Sequence, residues 1–203
     1  MELRHEADLF GRDEILRWDD WVSRLEAWDP HLTGHATNVA RFSEALARSV
    51  DCGQLFVDAI RVAALLHDVG KLRVPPHVLG KPGPLSDTEW DLVRRHPVTG
   101  ERMVAGLGLP RIVRQTIRHH HEHWDGCGYP DRLRGTEIPL AARILCVADV
   151  FDALTSERSY HTALQPAEAL AVMRVECGTV LDPDLFFSFE AMMAGTGATA
   201  FAA

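Results

Sequence analysis

The sequence predicts an all-α fold, and three observations carry that reading. Apolar residues recur at intervals of three and four along almost the whole chain, the spacing of one helix face. Runs of alternating β-branched residues, the mark of a half-buried strand, are missing. Prolines recur where a helical stripe begins, a position at which the missing N–H costs nothing. The chain has 203 residues, 46% of them hydrophobic and 25% charged, which is enough for one domain with a substantial core and unlike a disordered sequence.

The elements follow in order. Trp18, Trp21, Leu25 and Trp28 stand at roughly helical spacing in an acidic N-terminal segment, residues 1–30, expected to pack on the domain or on a partner, a homodimer being one such arrangement. Val39, Phe42 and Leu46 stripe a helix after His35. Phe56, Ile60 and Ala63, beside Leu55, Ala59, Leu65 and Leu66, predict a more completely buried, central helix running into His67 and Asp68. Before the next helix, Ser86 is placed to cap, Glu89 to complete a capping box, and Leu85 with Trp90 to form a hydrophobic staple. That helix should end near His96, because Pro97 disfavours helical geometry at the residue before it. Pro110 opens a helix carrying Ile112, Val113 and Ile117 toward His120 and His121, and Pro139 opens one carrying Ile144, Leu145 and Val147 toward Asp149. Pro166 and Pro183 each open one more. Two Gly/Pro-rich loops, Leu79–Leu85 and Asp125–Gly135, lie between these helices, and the small-residue tail Ala194–Ala203 is expected to fray.

Charge and cysteine usage exclude several roles. The formal charge is −8, and residues 1–30 hold nine acids against four arginines, so no broad basic face is left for a polymeric nucleic acid. The four cysteines show no paired C-x-x-C spacing, which suits reduced thiols. No signal-peptide pattern opens the sequence, and no apolar run approaches the ~18 residues that span a bilayer. These features predict a cytoplasmic protein with no membrane contact.

The chemistry lies in the histidines. Of the 11, His35, His67, His96, His120 and His121 fall at or near helix ends, together with Asp68 and Asp149. Imidazole with carboxylate suits divalent iron, manganese, zinc, cobalt or nickel. About seven ligands are too many for one tetrahedral zinc, so two ions are the simplest arrangement, and Asp68 has two oxygens with which to bridge them. A paired-ion site lowers the pKa of a shared water and stabilises the attacking and leaving oxygens of a displacement at phosphorus. Lys71, Arg158 and His161 follow these ligands along the chain and would supply cations to phosphate oxygens. Asp152 shares a helix face with Asp149, where it would orient a ligand or substrate group, cap, or form a surface ion pair.

His67-Asp68-Val69-Gly70-Lys71 resembles the H-D-x-G-K core of the HD superfamily of metal-dependent phosphohydrolases. The run His120-His121-Glu122-His123-Trp124-Asp125-Gly126-Cys127-Gly128-Tyr129-Pro130 resembles the stretch that defines the HD-GYP subfamily, and the segments 138–144 and 147–156 match its pattern too. The resemblance covers about Asp29 to Phe189. It implies a single HD-type helical bundle, placed at residues 31–193, with a Gly-rich GYP loop. It also implies hydrolysis of cyclic di-GMP to pGpG, and often on to GMP, by a metal-bridging hydroxide.

Carried over by position, the metal ligands are His35, His67, Asp68, His96, His120, His121 and Asp149. Lys71, Tyr129 and Arg158 meet the nucleotide, and Lys71 stabilises charge on the phosphate. Three positions depart from the family pattern. His31 replaces a glutamate of three-metal members, which favours two metals. His161 replaces a lysine near the substrate arginine, weakening that contact or making it pH-dependent. Arg132 replaces a small glycine in a loop credited with protein-partner contacts. His119 and His123 are expected outside the ligand set, and Trp124 is expected to wedge the loop. Two rivals accompany the enzyme: a cyclic-dinucleotide receptor with negligible turnover, and a phosphohydrolase of mononucleotides.

Overall fold

The computed structural model describes residues 21–28, 34–157 and 162–195. His31, Trp18, Arg158, His161 and most of the tail lie outside the described residues, as does most of the acidic segment. Among the described residues the chain is helical with one isolated bridge, Cys177 to Leu181, and no strand, as the apolar spacing predicts.

The helices are α1 (21–28), α2 (His35–Ser49), α3 (Gln54–Leu66), α4 (Pro76–Leu79), α5 (Asp87–Val93), α6 (His96–Val104), α7 (Arg111–His119), α8 (Leu140–Thr155), α9 (Pro166–Val175) and α10 (Pro183–Gly195). A 3₁₀ turn, Val69–Arg73, follows α3. None of them is long and apolar enough to cross a membrane.

Two apolar clusters organise the bundle, and α3 belongs to both. Its Val57, Ile60 and Ala64 join Val39, Phe42 and Leu46 of α2, Leu145 and Phe151 of α8, Met173 of α9, and Phe186 and Phe189 of α10. Phe42, Phe151 and Phe189 meet edge to face with centroids 5.0–6.0 Å apart, the arrangement favoured by ring quadrupoles. The other flank of α3, with Ala59, Val62, Ala63 and Leu66, packs on Val104, Leu109, Val113 and Ile117 around α6 and α7. Trp21 of α1 packs on this second cluster and Leu25 is buried, whereas Trp28 is exposed. A helix buried on two flanks runs its C-terminus into the interior. That is where His67 and Asp68 stand.

Two sequence expectations need correction. Leu55 is on the solvent side of α3, 68% exposed, because the two clusters occupy the other flanks. His96 does not end the preceding helix: α5 stops at Val93 and His96 opens α6, where Pro97 fits the first turn. The capping box forms, with Ser86 N donating to Glu89 (2.7 Å) and Glu89 N to Ser86 Oγ (3.4 Å), yet α5 buries no residue at all. Trp90, the expected staple partner of Leu85, keeps 45% of its surface exposed.

Two glycines are set by close backbone approach. A Cβ at Gly70 would lie 2.0 Å from the carbonyl oxygen of His96, and one at Gly128 would lie 2.2 Å from the amide nitrogen of His123. Gly70→Ala and Gly128→Ala must each displace backbone, and each should lower stability by about 2 kcal/mol or more. Gly106→Ala, with nothing within 4 Å of the new methyl, should stay within about 0.5 kcal/mol. Thermal unfolding of the three variants checks the contrast.

Candidate metal centre

Three histidines reach the centre by the same local device. The last turn of a helix leaves carbonyls without intrahelical partners, and an imidazole just beyond it can close one of them. His67 Nδ1 donates to Ala64 O (2.6 Å), His96 Nδ1 to Val93 O (2.8 Å) and His120 Nδ1 to Ile117 O (2.8 Å). A carbonyl only accepts, so Nδ1 carries a proton, and in the neutral tautomer that this leaves the Nε2 lone pair points inward.

These lone pairs gather around Asp68. Its Oδ1 lies 3.2 Å from His96 Nε2, and its Oδ2 lies 3.4 Å from His67 Nε2 and 3.9 Å from His35 Nε2. His96 Nε2 and His120 Nε2 face each other at 3.2 Å, and in rings protonated on Nδ1 alone neither nitrogen has a proton to give the other. His67 Nε2 and Asp68 Oδ1 are buried without any hydrogen-bond partner. Buried acceptors facing one another are costly unless something positive joins them. The donor set fits divalent cations: Asp68, His96, His120 and His121 can converge on one point, His35, His67 and Asp68 on another, and the two groups share Asp68.

His35 is held differently. Its Nδ1 donates to Asp152 (2.6 Å) and its Nε2 faces Asp149 Oδ1 at 3.3 Å. Burial opposes its charge, but hydrogen bonds to Asp149 and Asp152 outweigh it and push its pKa up to about 9. Burial drives the other rings the opposite way: His121 falls to about 3, and His67 and His120 also fall, with neighbouring imidazoles adding to the burial effect at His120 and His121. For Asp68, burial is overcome by Lys71 and the surrounding histidines; for Asp149 it is overcome by His35. Both carboxyls lie below their usual range.

The expected ligands His35, His67, Asp68, His96, His120, His121 and Asp149 are thus in one place. Lys71 Nζ donates to Asp68 Oδ2 at 2.6 Å, so its ammonium stands beside the shared carboxylate. Tyr129 stacks on His121 with centroids 4.9 Å apart, and its backbone N–H donates to His121 O (3.0 Å). Asp152 orients His35, one of the roles its spacing allowed. Trp124 sits under the guanidinium of Arg143 and against Gly135 in the loop.

The spacing of motifs left two residues unassigned. Glu122 is buried and accepts the backbone N–H groups of Asp131 (2.6 Å) and Leu133 (3.0 Å), gripping the loop from beneath. Asp131 accepts both Arg118 Nε (2.7 Å) and Nη2 (2.8 Å) and also His119 Nε2 (2.9 Å), fastening the same loop to α7. Arg132, between the two gripped amides, has φ 56°, the left-handed region that glycine adopts without strain. Carboxylates that accept distant backbone amides follow no sequence period; only the run of one acid after two histidines marked Glu122.

Residues 23–185 match the HD domain family. The chain is 38% identical over 166 residues to the 3'3'-cGAMP-specific phosphodiesterase 3 of Vibrio cholerae, covering 82% of this chain and 36% of that protein. It is 41% identical over 167 residues to a cyclic di-GMP phosphodiesterase of Pseudomonas aeruginosa, covering 82% of this chain and 40% of that one. It therefore spans well under half the length of either relative. Among solved structures, Bd1817, an HDG"Y"P protein from Bdellovibrio bacteriovorus, superposes with a TM-score of 0.66 at 22% identity, over 79% of this chain and 52% of its own, a likeness of fold.

Two outcomes follow. Asp152→Asn removes the carboxylate that orients His35 and should weaken metal affinity about 10- to 100-fold, measured by competition with a chelator. In chelated protein, the depressed His67, His120 and His121 stay neutral when folded and take up protons near pH 6.5 when unfolded, so stability falls as the pH drops from 6.5 toward about 3. The raised His35 contributes fully below 6.5 and loses its contribution between 6.5 and about 9. The melting temperature of the metal-free chain should peak near pH 6.5; a maximum below pH 5 would contradict these assignments.

Proposed function

The chain belongs to the HD domain family, in its HD-GYP branch, and from that premise we propose that it is a phosphodiesterase hydrolysing cyclic di-GMP to pGpG, with GMP the product of a second cut. The observation that carries the reading is the convergence of inward-facing imidazole lone pairs on one buried carboxylate, shared between two ligand groups. His35, His67 and Asp149 would hold one divalent ion and His96, His120 and His121 the other, with Asp68 between them, and iron or manganese suits the set. Bound there, two such ions would supply Lewis acidity toward phosphate oxygens and an acidified water.

The chain's own residues do the rest. Lys71 is placed to set an ammonium against charge growing on a phosphate oxygen. Tyr129, half-buried on His121, forms a wall beside the phosphate, and its hydroxyl stays protonated because burial raises its pKa. Glu122 and Asp131 hold the loop that carries this tyrosine. Arg158 and His161 are proposed to meet the far phosphate and base. The four free cysteines fit a cytoplasmic setting.

Purified chain loaded with Fe(II) or Mn(II) should convert cyclic di-GMP to pGpG in product chromatography, faster than 3'3'-cGAMP, cyclic di-AMP or mononucleotides. Lys71→Ala should lower kcat about 100-fold or more while metal content is kept. Intact cyclic di-GMP, under conditions in which an active relative cleaves it, would remove the proposal; tight binding with the nucleotide recovered unchanged would instead select the receptor.

A further inference from the structure

A cleft of about 430 Å³ lies along α7, within the size range of small-molecule sites. Arg111, Arg114 and Arg118 line it, three and four residues apart and therefore on one face of the helix. The buried Val113 and Ile117, with His120 just beyond the helix end, lie on another face and point into the interior. Successive residues turn about 100° around an α-helix, which puts the arginines largely on the side away from these three. The cleft is thus separate from the metal centre, although the same helix serves both.

The arginines of this cleft are incompletely paired. Arg111 Nε and Nη2 donate to the side-chain amide oxygen of Gln115 at 3.2 Å each, and no carboxylate among the described residues pairs with Arg111. Arg114 Nη1 stands 3.8 Å from Glu101 Oε1, beyond hydrogen-bond reach. Arg118 gives Nε and Nη2 to Asp131 and keeps Nη1. The wall therefore carries three guanidiniums against two carboxylates, and one of those carboxylates is already engaged in fastening the loop. Arg111 also opens α7, whose first turn holds no acid, and the partial positive charge of a helix N-terminus disfavours a cation there. An anion in the cleft would offset both the excess charge and this local repulsion.

We propose that the cleft is a second anion site, separate from the metal centre, which takes a phosphate group, either the phosphomonoester of a small nucleotide or the free ion. Guanidinium forks meet phosphate oxygens in pairs, and Arg111 and Arg114 stand here without a carboxylate hydrogen bond. Arg118 adds its remaining Nη1. Because Arg118 also holds Asp131, the occupant shares a guanidinium with the contact that ties the Gly-rich loop to α7. The site uses none of the expected metal ligands, so it stands whether or not the phosphodiesterase reading does.

The test uses the full, metal-loaded chain and reads phenylglyoxal modification of each arginine by mass spectrometry. GMP and inorganic phosphate are the probes, and guanosine is the arm without phosphate. At least one phosphate probe should slow modification of Arg111 and Arg114 saturably, about tenfold at ten times its Kd, while guanosine does not. Protection at lower concentration by GMP assigns the site to a nucleotide; otherwise the free ion is its occupant. Arg114→Gln should weaken protection of Arg111 at least about tenfold, the loss of one charge-assisted hydrogen bond, and Arg111→Gln should do the same at Arg114. Neither side chain is buried, so both variants should melt close to the unaltered chain. Protection by guanosine, no protection by either phosphate probe, or protection unchanged in both variants would overturn the site. Failure of the unaltered chain to cut cyclic di-GMP would overturn the enzymatic reading instead, and arginine protection would still decide the cleft.

Discussion

The structure depends on a hydrogen bond from an imidazole Nδ1 to a carbonyl three residues back. It is made three times, at the ends of α3, α5 and α7. Each bond satisfies a carbonyl that the helix end would leave unpaired, and each fixes a tautomer with its lone pair directed inward. The three helices approach from different directions, so the lone pairs meet at Asp68. Protein groups alone cannot satisfy that arrangement: His67 Nε2 and Asp68 Oδ1 have no donor. These buried acceptors make a donor set able to hold divalent cations.

Apolar packing brings these helix ends together. Because α3 is buried on two flanks by different clusters, its C-terminus is directed between them rather than toward solvent. Gly70 lets the turn after Asp68 lie against the backbone of His96, and Gly128 lets the loop lie against residues 121–123. Both motif glycines are therefore spatial requirements. A methyl group at either would push apart backbone segments that carry the clustered histidines. The loop is then fastened twice, by Glu122 from below and by Asp131 to α7, and Arg132 bears the left-handed conformation between the two gripped amides.

How much of this was legible follows from the range of each interaction. The clustering of these side chains could be anticipated because the histidines stand at or near the ends of periodic stripes, and a place for Asp152 beside them because three residues on a helix share a face with Asp149. Pro97 signalled a boundary correctly but on the wrong side of His96: a proline that forbids helix before it also favours the first turn of a new one. Glu122 and Asp131 could not be assigned because their partners are backbone amides and side chains brought near by the loop's path. Leu55 shows the same limit, since periodicity marks an apolar flank without saying whether a neighbouring helix covers it.

The exposed rim and the buried centre are linked through one atom. The carbonyl of Val93 ends α5, a helix with no fully buried residue, and it is also the acceptor that directs His96 toward Asp68. A segment held by capping and one lysine–glutamate contact has few buried interactions to resist displacement. A movement of α5 therefore changes the direction of an imidazole lone pair in the centre, whereas α3 and α7 deliver theirs from packed helices. Of the three histidines oriented by helix ends, His96 is the one whose orienting carbonyl comes from a helix without a fully buried residue.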